Sequence, residues 1–117
     1  MKLIIAGGRD FSNSDLMNEK LDYLLSNTPQ NEIEIVSGCA KGADSMGERY
    51  AEIMGYAVKQ FPANWDRDGK AAGPIRNREM AEYATHLIAF HDGVSRGTAN
   101  MIQVAKELGL KVRVVRY

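Results

Sequence analysis

The chain has 117 residues, room for one domain with a single core that needs no disulfide staples. Fifteen basic residues offset fifteen acidic ones, so no global field draws the protein to DNA or to an anionic membrane, although a local basic cleft fits the same balance. A lone Cys39 excludes an intramolecular disulfide, Met1 to Ala6 is too short for a signal-peptide core, and no apolar run approaches membrane-spanning length, so a cytoplasmic protein is expected.

Along the chain the apolar period switches between strand-like and helix-like. Leu3 to Ala6 is a continuous apolar run, and Met17, Leu21, Leu24 and Leu25 then share one helical stripe that Asn13 or Ser14 can cap. Ile33 to Val36 forms the second strand. Ala43, Met46, Tyr50, Ala51 and Met54 mark a second helix, which Gly55 closes. Val58 to Phe61 is the third strand. A third helix is expected from near Pro74, a residue suited to a first helical position, to about Tyr83. Leu87 to Phe90 is the fourth strand. Met101, Ile102, Ala105 and Leu108 define the last helix, Gly109 ends it, and Val112 to Val115 is the fifth strand.

Strands joined by helical crossovers imply a five-stranded, mainly parallel sheet with helices on both faces, a three-layer α/β domain over residues 1–117. Strand texture orders it. The first and fourth strands are unbroken apolar runs, as central strands are, whereas charges in and around the third and fifth suit edges. Order 3-2-1-4-5 follows. It puts the switch point, where such sheets bind ligands, between the first and fourth strands. The segment Pro62 to Gly73 exceeds the usual loop length and reads as a functional flap.

Four loops then lie at one end of the sheet. After the first strand, Gly7 and Gly8 let a ligand approach backbone N–H groups, Arg9 offers a fork to phosphate or carboxylate, and Asp10 can accept from ribose hydroxyls. After the second, Ser37 to Asp44 leads small residues into a helix N-terminus that favours an anion. Asp44 there either complements the helix dipole or contacts ligand, and Cys39 reads as a small packing residue. Trp65 either stacks on a base or anchors its loop, with anchoring the favoured reading. Arg76 and Asn77 stand at the start of the third helix near the ligand end, with Arg78 and Glu79 beside them. Ser95 or Thr98 can cap the last helix, Gly97 exposes backbone N–H groups and Arg96 adds charge, making this the best phosphate site in the chain. Asp92 bonds a sugar hydroxyl or holds its loop. No His/Cys/Asp set completes a metal site.

Taken together, Ile5-Ala6-Gly7-Gly8-Arg9-Asp10-Phe11, Ser37-Gly38 with Lys41-Gly42-Ala43-Asp44, Gly73 to Met80, and Asp92-Gly93 with Ser95-Arg96-Gly97-Thr98 and Asn100-Met101-Ile102 resemble the YspA-like branch of the SLOG superfamily, found in bacteria and their phages. The resemblance implies a Rossmann-like domain that binds a nucleotide or nucleotide-derived ligand. Distant members include the LOG phosphoribohydrolases and the single-stranded-DNA-binding DprA. The LOG signature Pro-Gly-Gly-x-Gly-Thr-x-x-Glu ends in a glutamate that takes part in catalysis. Here Gly97-Thr98 matches its Gly-Thr, while the glutamate falls on Met101, which is neither acid nor base.

The expected function is binding of a nucleoside phosphate or ADP-ribose-like molecule, as a sensor or sequestering module. Its expected contacts are Gly7, Gly8, Arg9, Asp10, Phe11, Ser37, Gly38, Gly42, Asp44, Arg76, Asn77, Asp92, Ser95, Arg96, Gly97 and Thr98, with no cofactor and no metal. The alternative is hydrolysis of an N-glycosidic bond in a nucleotide, for which Glu79 and Asp10 lead the candidate carboxylates, with Asp44 and Asp92 behind them. Single-stranded DNA binding comes third, against the zero net charge. A homodimer or homotetramer is expected from small size and the habit of related folds.

Overall fold

In a computed structural model that describes all 117 residues, the chain forms an all-parallel sheet of order β3-β2-β1-β4-β5. The strands are β1 (Lys2–Gly7), β2 (Glu34–Ser37), β3 (Ala57–Gln60), β4 (His86–His91) and β5 (Lys111–Arg116). Helices α1 (Ser14–Leu25), α2 (Ala43–Met54), α4 (Ala72–Tyr83) and α5 (Arg96–Glu107) are the crossovers, and a short α3 (Trp65–Asp68) precedes α4. This is the strand order that texture implies, in the α/β Rossmann-like architecture that the family resemblance implies.

The period of two in β1 and β4 splits the core. Leu3, Ile5, Ile88 and Phe90 turn to one face, where Met17, Leu21 and Leu25 of α1 and Ala43, Tyr50 and Ala51 of α2 cover them. Ile4, Ala6, Leu87 and Ala89 turn to the other, under Met80 and Ala81 of α4 and Met101 and Ala105 of α5. Both strands are therefore buried on both faces, which is why they read as uninterrupted apolar runs. β3 is exposed throughout and β5 buries Val115 well, as charged edge strands do.

Helix ends follow local chemistry. Of the two cap candidates for α1, Asn13 acts: its Oδ1 accepts from Leu16 N–H at 3.0 Å. Gly55 closes α2 with a left-handed φ of 78°. The segment Pro62 to Gly73 departs from the expected structureless flap. Asn64 Oδ1 accepts from Arg67 N–H at 3.0 Å and starts α3, and a 3-10 turn over Gly69–Ala71 leads straight into α4. Helix α4 thus begins at Ala72, so Pro74 sits third in its first turn, where its missing N–H still leaves no intrahelical bond unmade. No helix is long and apolar enough to cross a membrane.

Candidate functional site

The carboxyl ends of β1 and β4 open into a cavity of about 700 Å³ between the first turns of α4 and α5. Its wall contains Gly7, Gly8, Arg9, Asp10, Asp44, Arg76, Asn77, Asp92, Ser95, Arg96, Gly97 and Thr98, so most of the residues expected at the ligand end do converge. Ala6, Ala40, Gly73, Pro74, Met80, Asn100 and Met101 also line that wall, although none of them is among the expected contacts. For Gly73, Pro74 and Met80 the signal was present: with the expected Asn77 they recur at helical spacing on one side of α4.

Four expected contacts lie off the wall, each with a structural job. Phe11 is 3% exposed and packs its ring 4.8 Å from those of Phe90 and Tyr117. Ser37 is buried and donates its hydroxyl hydrogen to Glu48 Oε2 at 2.6 Å, which Gln60 also holds. The Gly38 carbonyl accepts from Arg76 Nη1. Gly42 has a φ of 78°, and a Cβ there would stand 2.6 Å from the Arg9 backbone, so glycine lets α2 start against the β1 loop. Ala43 N–H and Phe11 N–H both donate to the Gly8 carbonyl, each at 3.2 Å, and fix that crossing. Glu79, the leading carboxylate candidate on α4, is exposed and stands off the cavity wall. The other, Asp10, is on the wall, where its Oδ1 accepts from the Tyr117 hydroxyl at 2.9 Å.

The α4–α5 side is held by a buried amide. Asn77, 5% exposed, donates from Nδ2 to Asn100 Oδ1 at 2.9 Å and to the Gly97 carbonyl at 3.3 Å. Its Oδ1 accepts from Arg76 Nε at 3.0 Å. Arg76 is thereby fixed through two of its nitrogens, leaving Nη2 without a protein acceptor. The guanidinium groups of Arg9 and Arg96 are exposed and make no hydrogen bond or ion pair within the protein.

At the start of α5, Ser95 is the cap: its Oγ accepts from Thr98 N–H at 3.4 Å. Asp92 holds the approach, its Oδ1 accepting from Val94 N–H at 2.8 Å and Ser95 N–H at 2.9 Å. These bonds push the Asp92 carboxyl below the usual carboxylate range. The N–H groups of Arg96 and Gly97 have no protein acceptor, and a Cβ on Gly97 would meet nothing within 4 Å. This helix end is therefore open to the cavity and carries the positive pole of α5.

Asp44 is 6% exposed on the opposite wall, in the first turn of α2. Burial pushes its carboxyl up, against the Ala40 N–H and the charge of Arg76, which pull it down. Cys39 is exposed with a φ of 65°, which is strained for a side chain bearing a Cβ. Its thiol is pushed up, first by burial and then by the Glu48 charge, which disfavours the reactive thiolate.

Arginines 9, 76 and 96 face aspartates 10, 44 and 92 around one space. The arrangement can receive an anion at the α5 terminus while carboxylates accept hydrogen bonds from hydroxyls. Comparison with known proteins agrees with the family that the loops resemble. The model of the YspA, cpYpsA-related SLOG family matches residues 1–67, a stretch that includes the β1 loop, the entry to α2 and Trp65. The "Gene 61 protein" of Mycobacterium phage D29 is 31% identical in an alignment covering 95% of this chain and 93% of that protein. No solved structure matches. The chain belongs to the YspA, cpYpsA-related SLOG family.

Proposed function

We propose that the protein binds a nucleotide or nucleotide-derived ligand, an ADP-ribose-like molecule or nucleoside phosphate, as a sensor or sequestering module. The observation that carries this reading is the open α5 terminus. Free N–H groups of Arg96 and Gly97 and empty space above Gly97 face a cavity rimmed by unpaired arginines. A phosphate there accepts the two N–H groups, and Arg96 and Arg76 Nη2 supply charge-assisted bonds. Ribose hydroxyls donate to Asp10 on the β1 loop. The equal number of arginines and aspartates suits a ligand that combines phosphate with hydroxyls, and does not favour a bare polyanion such as single-stranded DNA. A thermal-shift series with AMP, ADP, ADP-ribose and pyrophosphate tests the reading, because a ligand that binds only the folded state raises its apparent stability. Stabilisation by phosphate-bearing compounds is expected; a flat response to all four at millimolar concentration overturns it.

One observation favours hydrolysis of an N-glycosidic bond as a second reading. Asp44 is a buried carboxyl on the cavity wall that holds its proton to higher pH than an exposed aspartate. Such a group can protonate a departing base, and as carboxylate it can balance an oxocarbenium-like transition state. Glu79, off the wall, takes no part in this version, and Met101 stands where the LOG enzymes keep their glutamate. Product analysis of mononucleotides and dinucleotides with the unaltered chain and Asp44→Asn decides it. Free base that disappears with the substitution supports hydrolysis, and no free base from the unaltered chain removes it.

A further inference from the structure

Trp65 is the chain's only tryptophan, and it is 52% exposed although it belongs to a helix of only four residues. An indole that anchored the segment would be buried; this one is not. The segment is instead held by polar groups. Asn64 caps it, and Arg67 donates to Asp68 through Nε at 2.9 Å and Nη2 at 2.7 Å. The ring borders the large cavity and also the shallower groove formed by Pro62, Ala63, Asn64 and Asp66. Its Cη2 would lie 3.7 Å from a Cβ on Gly73, so the ring edge reaches over the first turn of α4. The cavity's other large apolar liners, Met80 and Met101, are 2% and 1% exposed and offer almost no surface. Among the apolar liners of the wall, Trp65 is the one that presents a broad, solvent-exposed plane.

Resting on the phosphate reading above, we propose that Trp65 is the nucleobase platform of the cavity: the base stacks on the indole while the phosphates occupy the α5 terminus. A flat aromatic face stacks any base and adds roughly 5- to 150-fold in affinity for a ligand that has one. Stacking reads the π-face that every base has, so purines and pyrimidines both bind and the discrimination is between ligands with and without a base.

The sole tryptophan makes the test direct. ADP and inorganic pyrophosphate are titrated into the full chain by calorimetry and by intrinsic fluorescence, alongside Trp65→Ala and Trp65→Phe. The expected result is quenching by ADP, a loss of about 10-fold or more in ADP affinity in Trp65→Ala, near-full retention in Trp65→Phe and unchanged pyrophosphate affinity in both. Equal ADP affinity in Trp65→Ala and the unaltered chain overturns the platform while leaving the phosphate site intact. So does an equal loss for ADP and pyrophosphate, which marks a purely structural tryptophan. If neither probe binds the unaltered chain, the phosphate reading falls and takes the platform with it.

Discussion

Replacing Gly97 with alanine sets the stability of the empty protein against its capacity to hold a ligand. Gly97 occupies the second position of α5, has no left-handed φ, and faces open space where a Cβ would stand. Nothing in the protein alone asks for glycine there. In a helix the exchange of glycine for alanine stabilises by about 0.5–1 kcal/mol, through reduced freedom of the unfolded chain and better backbone shielding. For a chain of this size that corresponds to a rise of roughly 2–6 °C in Tm. The same methyl stands in the space through which an anion reaches the Arg96 and Gly97 N–H groups, so pyrophosphate and ADP affinity should each fall by about 10-fold or more, or ~1.4 kcal/mol. Differential scanning calorimetry and isothermal titration measure the two effects on one preparation. A more stable variant with undiminished pyrophosphate affinity would refute the placement of phosphate at α5. A variant less stable than the parent would show that the space is not free.

Other substitutions test the frame and its titrating groups. Asn77→Ala removes the buried amide that bridges α4 to Gly97 and Asn100, and with the part-buried bonds it makes should cost about 1 kcal/mol in urea unfolding with the slope unchanged. Asp44 has its folded-state pKa raised, so the stability tied to it is full below its ordinary value of 3.8 and is lost as pH rises through the folded value. Asp44→Asn should accordingly melt at or above the parent temperature at neutral pH, with the gap closing on acidification; a persistent deficit at pH 7 argues against the burial penalty. Asp92 is the opposite case. Its depressed carboxyl contributes stability above 3.8 that is lost as pH falls through the folded value, and Asp92→Asn should flatten that acid limb of the Tm profile. Cys39→Gly relieves a left-handed φ of 65° and should stabilise by up to about 1 kcal/mol, read as a higher denaturation midpoint.

The sheet order was readable because burial writes itself into strand composition. A strand covered on both faces has nowhere to put a charge, as Leu3 to Ala6 shows, whereas Lys59, Arg113 and Arg116 mark strands with an open side. The short α3 was not readable. Four residues hold barely one helical turn, so there is no apolar period to detect, and its Asn64 cap also reads as an ordinary turn residue. In the site, the loops were legible as places but not as directions. Ser37, at the end of β2, and Phe11, in the loop after β1, turn into the body, held by Glu48 and by the tilted and edge-on rings of Phe90 and Tyr117, because partners elsewhere in the chain decide which way such a residue faces. Trp65 shows the converse: composition suited an anchor, and only its exposure separates that role from a ligand-facing one.

The hydrogen bond from Tyr117 to Asp10 spans 107 positions of sequence. Tyr117 also lays its ring against Phe11 and donates its N–H to the His91 carbonyl at 3.3 Å, while its own hydroxyl, desolvated and bonded to Asp10, is pushed up to about 12. The loop that follows β1 is thus completed by a residue made more than a hundred peptide bonds later. Parallel strands cannot pair until their crossovers exist, and contacts this distant in sequence form late in folding. A nascent chain stalled before Tyr117 lacks the clasp on Asp10, so ribosome-bound intermediates should acquire protease resistance in the β1–β2 region before they acquire a closed β1 loop.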